Sequence, residues 1–314
     1  MNKVNLCWVL SDGQKGHEIQ SMTLAHALSS NLQKFQFSLK QPWVTFAPRR
    51  MPQFKLALNW HGTQPSLPDK PKLLITTGRK AAAVGKHILD QLKQHNHNCL
   101  HLQILNPKDN FKKYDLLLAP QHDNIKGPNV ITFHGSIHPY NHQWFQADCP
   151  ELGSYMAIII GNPKPAYFAS QFFEEISLIR SKFPNNPLYF CGSPRLDERS
   201  KTLIFSAAKT TDRLWLDPAH GNNPYQSLLK NAKKLFITAD SINMINESCQ
   251  SAAPVSILAN QFTASPKHQR FIQSIQTRLC ALDSLDTGKP SAYALDQITV
   301  HPLLISTLIA AINK

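Results

Sequence analysis

The sequence predicts an α/β protein built from two parallel-sheet domains, and three observations carry that prediction. Short apolar runs alternate with amphipathic segments almost throughout the 314 residues, the pattern of strands sandwiched by helices. The length exceeds that of one ordinary domain and suits two of about 150 residues each. In each half, one apolar run passes through a tight polar loop straight into a helix, at the strand end where such sheets bind ligands.

In the first half the runs predict strands near 4–10, 35–40, 73–77, 100–105, 114–119 and 130–133, with helices at 18–32 and 79–95. From 135 to 153 the pattern dissolves into a polar stretch with Pro139, Pro150 and Gly153, so the domain boundary is placed near residue 150, giving domains 1–150 and 151–314. The second half opens on its strongest run, Tyr155 to Ile160, and continues with strands near 188–191, 213–216, 235–238 and 255–258. Helices are expected between them at 166–182, 196–208, 225–233, 242–251 and 267–278. A last apolar-faced helix, roughly 294–312, is expected either to cross back to the first domain or to pack on its own.

An apolar content of 42% with 17% charged residues describes a globular chain, and 22 prolines against 12 glycines imply stiff connections. The net charge of +13 is uneven: residues 1–150 carry 17 Lys and Arg against 8 Asp and Glu, and 11 of the 14 histidines. That balance suits a phosphorylated ligand, an anionic membrane face or nucleic acid. Specific nucleic-acid binding is not expected, because the basic residues are dispersed and no aromatic stacking motif accompanies them. The six cysteines are scattered, without a Cys-x-x-Cys pair, as reduced thiols would be. A signal peptide is not expected, since Asn5 interrupts the N-terminal run and Ser11-Asp12 ends it. Leu303 to Ile312 is too short to span a bilayer. The chain is therefore expected in the cytoplasm, at most resting on a membrane.

Two loops carry the chemistry. In the first, Val4 to Leu10 leads into SDGQKGHEIQ, where Gly13 and Gly16 let the backbone turn sharply and approach a ligand, and His17 stands at the mouth of the following helix. A plain turn with a surface histidine is the alternative. In the second, the run ending at Thr238 leads through Ala239, Asp240 and Ser241 into a helix holding Met244 and Glu247. Asp240 or Ser241 can cap that helix, the remaining amides and the dipole favour a phosphate, and Glu247 can reach ribose hydroxyls. The alternative is a capped helix with a solvated acid. A Walker loop is excluded by the spacing of Gly78 to Lys86 and by His87 in the Ser/Thr position.

Lesser candidates stand at other strand ends. Arg79 follows Thr77-Gly78 and can meet a phosphate or an acceptor sugar; His122 and Asp123 follow a further strand; Ser193 and Arg195 can bind phosphate, unless Arg195 pairs with Asp197 or Glu198. His95, His97, Cys99 and His101 alternate, but a helix end entering a strand does not give them one face, and no metal site is assigned. Trp43, Phe46, Arg49 and Arg50 interleave aromatic and basic groups, as a surface dipping among anionic headgroups would, although core contacts with two exposed arginines also account for them.

Together these residues resemble a known set. Ser11-Asp12-Gly13, Gly16-His17-Glu18, Gln20, Thr77-Gly78-Arg79, Pro120, His122-Asp123, Gly127-Pro128-Asn129-Val130, Gly135, Asn223-Pro224-Tyr225, Thr238-Ala239-Asp240-Ser241, Met244 and Glu247 are similar, in order and over nearly the whole chain, to the bacterial family related to the plant mitochondrial fission protein. That family is treated as glycosyltransferases of the GT-B fold. More distantly, the first loop and the helix ending at Glu247 are similar to those of the transferase that adds N-acetylglucosamine to the lipid-linked peptidoglycan precursor.

The resemblance implies two Rossmann-like domains with an interdomain cleft, and transfer of a sugar from a nucleotide-diphosphate donor to a lipid-linked or lipopolysaccharide-type glycan at the inner face of the membrane, without a metal or other cofactor. It implies His17 and Asp12 as catalytic, Gly13, Gly16, Arg79, His122 and Asp123 on the acceptor, and Ser193, Arg195, Thr238, Asp240, Ser241, Met244 and Glu247 on the donor. A sugar-nucleotide epimerase or hydrolase on the same fold, and a non-catalytic membrane-organising protein, are the alternatives. Three positions depart from the family pattern: Gly161-Asn162-Pro163 where it has Gly-Gly-Pro, Ser193-Pro194-Arg195 where it has Ser-Arg-Arg, and Ser251-Ala252-Ala253 where a glycine precedes the proline. The first two bear on the expected phosphate site.

Overall fold

The computed structural model describes residues 3–140, 144, 145, 147, 153–262, 265–285, 308 and 310. The chain divides into two compact units, one formed by Met1–Pro139 with Asp296–Lys314, the other by Tyr140–Leu295.

The first unit holds a seven-stranded sheet in the order β3-β2-β1-β4-β5-β6-β7. Its strands are β1 Cys7–Ser11, β2 Leu32–Leu39, β3 Leu58–His61, β4 Leu73–Thr77, β5 Leu100–Ile104, β6 Leu116–Pro120 and β7 Val130–Phe133. All pairings are parallel except β2 with β3. Strands β1 and β4 are buried at every position, which explains why they read as unbroken apolar runs. The helices are α1 Lys15–Leu28, two short pieces α2 Trp43–Phe46 and α3 Phe54–Ala57, and α4 Gly78–Gln94. One layer of core joins α1 to the sheet through Leu24, Ala25, Leu28, Val9 and Ile75, and takes in Leu308. The other joins α4 to the opposite face through Val84, Ile88, Leu92, Trp8 and Leu74.

The second unit holds a five-stranded, wholly parallel sheet in the order β10-β9-β8-β11-β12. The strands are β8 Met156–Ile160, β9 Leu188–Gly192, β10 Arg213–Trp215, β11 Lys234–Thr238 and β12 Val255–Leu258. Its helices are α5 Pro165–Ser170, α6 Phe172–Lys182, α7 Glu198–Ala207, α8 Tyr225–Asn231, α9 Ile242–Ser248 and α10 Pro266–Ser274. An aromatic cluster of Tyr167, Phe168 and Phe172 fills the core beside Ile158 and Phe236.

Every expected strand is present. Strand β3 and the short helices α2 and α3 went unforeseen, because four-residue elements are too brief to show a period. The expected helix 166–182 is two helices: Gln171 leaves helical geometry at φ −118°. The expected helix 18–32 runs from 15 to 28, ended where Ser29 turns extended and the chain enters β2. The expected helix 294–312 lies outside the described residues apart from Leu308 and Ala310, which are both helical. No helix among the described residues is long and apolar enough to cross a membrane.

Candidate functional site

In both sheets the first strand of the unit sits beside the fourth element of a doubly wound order, so each unit has one point where the chain's direction of travel across the sheet reverses. Loops leaving two such strands diverge to opposite faces and leave a crevice at their carboxyl ends. In the first unit that point lies between β1 and β4; in the second, between β8 and β11.

At the first switch point the loop after β1 turns at Gly13, φ +78°, where the left-handed backbone favours glycine. The turn aims Asp12 inward, leaving its side chain only 1% exposed. Four donors surround that carboxylate: the Gln14 amide at 3.2 Å and its Nε2 at 3.1 Å, His17 Nδ1 at 3.2 Å and Lys80 Nζ at 3.0 Å. Burial works against the charge, but the hydrogen bonds and charges of His17 and Lys80 outweigh it and hold Asp12 below the usual carboxylate range. Because the ionised carboxylate can only accept, His17 Nδ1 carries the proton in this contact, and Nε2 keeps its lone pair in the neutral ring.

His17 in turn packs on Gly78, the first residue of α4. A Cβ on Gly78 would stand 2.7 Å from His17 Cε1, and the residue has φ +78°. Beside it the buried Thr77 hydroxyl has no hydrogen-bond partner among the described residues. Behind the loop, Ser11 Oγ donates to Glu18 at 2.9 Å and Lys34 pairs with the same carboxylate at 3.0 Å, fixing the start of α1 against β2.

At the second switch point Ser241 caps α9, its hydroxyl accepting from the Met244 amide at 3.4 Å. Asp240, the other residue expected to cap, does not. Its Oδ2 accepts from the Asn162 amide at 2.6 Å, reaching across to the loop after β8. Thr238 Oγ1 similarly accepts from the Gly161 amide at 2.8 Å. A Cβ at Gly161 would lie 2.4 Å from Asp240 Oδ2, so this crossing requires the glycine. The other oxygen, Asp240 Oδ1, is buried without a hydrogen-bond partner among the described residues.

Glu247 lies on α9, 5% exposed, and accepts a very short hydrogen bond from the hydroxyl of Tyr225 on α8. Burial lifts its pKa to about 7, with the Tyr225 contact pulling the other way. Tyr140 is a further electrostatic neighbour, pushed up to about 12 by burial and by Glu247. The helix is anchored from behind by the buried guanidinium of Arg278, which donates to the carbonyls of Cys249, Ser251 and Ala253 at the end of α9.

Ser193 and Arg195 occupy the end of β9, next to the switch. The Ser193 hydroxyl accepts from the Arg195 amide at 3.2 Å, while the Arg195 side chain is exposed and forms no ion pair among the described residues. Of the two rival acids, Asp197 caps α7 and Glu198 pairs with Lys201. Arg79 is exposed in the first turn of α4. His122 and Asp123 stand at the end of β6, separated from β4 by β5, and Gly16 lies within the first turn of α1. Sequence reasoning missed Lys80, which sits one residue beyond the chosen Arg79 and turns back to Asp12. It also gave no role to Tyr225, although the Asn223-Pro224-Tyr225 match pointed at that segment.

Of the four residues expected to meet a membrane, Trp43 packs partly against the α4 core and donates to the Pro52 carbonyl, and Arg50 pairs with Asp90. Phe46 and Arg49 are exposed, and Met51 and Leu56 join them at the surface. Of the alternating group, His97 hydrogen-bonds the Pro71 carbonyl and His101 the Thr76 hydroxyl, serving separate contacts.

Comparison with known proteins fits this architecture. A family model described as mitochondrial fission ELM1 matches residues 15–304. An uncharacterised Rickettsia prowazekii protein is 24% identical over 318 residues, covering 85% of the chain and 87% of the relative. The Arabidopsis thaliana mitochondrial fission protein ELM1 is 21% identical over 232 residues, 60% of the chain and 52% of the plant protein, so the match spans about half of that relative's length. Among solved structures, an Anabaena protein in complex with UDP and glucose aligns with a TM-score of 0.51 at 10% identity, covering 98% of each chain. An S. aureus protein solved with UDP aligns at 0.50 and 11%, covering 99% of the chain and 98% of the neighbour. At such identities the likeness shows the fold: GT-B, two Rossmann-like α/β units.

Proposed function

The chain belongs to the mitochondrial fission ELM1 family, and from that membership we propose that it is a nucleotide-sugar-dependent glycosyltransferase whose acceptor is a lipid-linked or lipopolysaccharide-type glycan. The observation that carries the reading is the Asp12–His17 pair at the first switch point. A histidine whose Nδ1 proton is engaged by a buried carboxylate presents Nε2 as a base and keeps a counter-charge for the imidazolium that forms.

In this proposal Nε2 of His17 takes the proton of an acceptor hydroxyl as that oxygen bonds to the anomeric carbon of the donor. The bond from that carbon to the diphosphate oxygen breaks, and the nucleoside diphosphate leaves with the electron pair. Lys80 and Asp12 hold His17 in place. The second unit receives the donor: Glu247, already beside Tyr225, accepts from ribose hydroxyls, and Arg195 with Ser193 offsets the diphosphate charge. Thr238 and Asp240 act indirectly, by fixing Gly161 and Asn162. Ser241 and Met244 contribute the start of α9, while Gly13, Gly16, Arg79, His122 and Asp123 belong to the acceptor side. No metal or other cofactor is required by this chemistry. UDP in two structural neighbours supports a nucleotide donor. Exposed Phe46, Met51, Leu56 and Arg49 support a peripheral position on an anionic membrane face.

A thermal-shift screen across nucleoside diphosphates tests the donor half, since a specific ligand at a hundred times its Kd stabilises by about 2.7 kcal/mol. Absence of a shift with every base would sink it. A Listeria monocytogenes protein proposed to be a UDP-N-acetylglucosamine 2-epimerase shares the fold at TM-score 0.51 and 11% identity. That likeness keeps an epimerase or hydrolase as the second reading, recognised by product formed without acceptor.

A further inference from the structure

The first unit has a second concave surface, at the opposite end of its strands from His17. It is a cavity of about 1100 Å³ at the entry ends of β4, β5 and β6 and along one side of α4, large enough for a small-molecule ligand. Its charge is one-sided. The carboxylates on its wall are already engaged: Asp90 by Arg50, and Asp115 by the amide of His101 at 2.7 Å. Asp109 pairs with both Lys86 and Lys113. Lys72, Lys93 and Lys112 line the same cavity, are exposed, and have no carboxylate partner among the described residues.

One buried polar atom on this wall also lacks a partner among the described residues. His101 is 1% exposed. Its Nε2 meets Thr76 Oγ1 at 2.8 Å, and that hydroxyl donates to Gln103 Oε1 at 2.6 Å. A carbonyl oxygen can only accept, so the threonine accepts from His101 Nε2–H, and Nδ1 is left as an unpartnered lone pair. Burial lowers the histidine's pKa to about 3, keeping it neutral. Beside it stands Tyr114, its ring 5.0 Å from that of His101, its hydroxyl pushed up by burial and by the neighbouring Asp109. Lysines without counter-ions and one buried acceptor form a set that a phosphate group satisfies: P–O⁻ for the cations, and P–OH for the histidine, since a phosphate monoester retains a proton in part near neutral pH.

From this convergence we infer that the cavity is a second ligand site, separate from the proposed sugar-transfer site, and that it takes a small, multiply phosphorylated molecule. Titration calorimetry of the full chain with inorganic tripolyphosphate at about 0.15 M salt tests it. The expected result is saturable one-to-one binding, weakened at least tenfold in the triple variant Lys72→Gln, Lys93→Gln, Lys112→Gln. A control variant at the equally exposed Lys55, Lys70 and Lys126 should leave binding unchanged. Inorganic phosphate should compete better than sulfate, which carries no proton for His101. The part of nucleoside diphosphate binding that Glu247→Gln weakens should persist in both variants, so failure here is distinguishable from failure of the glycosyltransferase reading. The inference is overturned by equal loss in the control variant or by non-saturable uptake. It is equally overturned by tighter binding of duplex nucleic acid, by binding confined to anionic vesicles, or by sulfate competing as well as phosphate.

Discussion

At the first switch point one buried acid gathers a histidine, a lysine and a glutamine into a charged cluster and leaves an imidazole nitrogen to act. At the second, Thr238 and Asp240, in the loop after β11, bind the backbone of Gly161 and Asn162 in the loop after β8, and both loops become part of the frame. The switch point thus carries the proposed chemistry in one unit and a backbone brace in the other. Where the loop side chains brace, the proposed donor contacts fall to neighbours: Glu247 with Tyr225 on the helices, and Arg195 at the end of β9. The departure Asn162 falls on the braced side, where its amide matters and its side chain does not enter the bond to Asp240.

The largest effect that would break this contrast is at His17. If the first switch point is the chemical one, His17→Ala should lower the rate of sugar transfer by about 10²- to 10⁴-fold, the usual contribution of a general base, with nucleotide affinity unchanged in calorimetry. Asp12→Asn should produce a smaller loss, because the base remains but its tautomer and counter-charge are removed. An equal loss of nucleotide affinity in His17→Ala would mean the first loop holds the donor, reversing the assignment of the units.

Glu247 sharpens the second half. A carboxyl group whose folded pKa is raised from 4.5 to about 7 favours the protonated form. The unfolded chain loses that proton more readily, so this group reduces stability progressively as pH rises from about 4.5 to 7, with no further change above. The full difference is of order 3 kcal/mol. Glu247→Gln should therefore raise the melting temperature at pH 8 and hardly alter it at pH 5, in thermal denaturation at the two values. The same variant should weaken nucleoside diphosphate binding about tenfold, the loss of one charge-assisted hydrogen bond. Stabilisation without loss of binding would leave Glu247 a buried acid with no part in the donor site.

How much of this was legible in the sequence follows from what each feature depends on. Buried parallel strands announce themselves as apolar runs, as β1, β4, β8 and β11 did, and their following loops carry glycine or capping residues that local chemistry explains. Asp12 and His17 were both expected in the site because they lie in one loop and helix turn, but the contact between them comes from the structure. Lys80, Tyr225 and Arg278 reach their partners across sequence gaps of 68, 22 and 25 to 29 residues, and no local pattern marks them. Asp240 failed as a cap for the same reason: the winning donor, the Asn162 amide, is 78 residues away. Ser241 was the correct half of that pair of alternatives because its partner, Met244, is local.

A smaller effect probes the close approach of α4 to the first loop. Gly78 combines a left-handed backbone with a Cβ position 2.7 Å from His17, so Gly78→Ala meets two obstacles. The backbone strain alone costs of order 1 kcal/mol, which chemical denaturation should register as a lowered midpoint with an unchanged slope. The ring must also move, and the 3.2 Å contact of His17 with Asp12 moves with it. Activity should consequently fall more than stability does, while nucleotide binding, assigned to the other unit, stays constant. If the alanine variant lost stability yet kept full transfer activity, His17 would not need its present seat, and the contrast between a chemical and a braced switch point would lose its geometric basis.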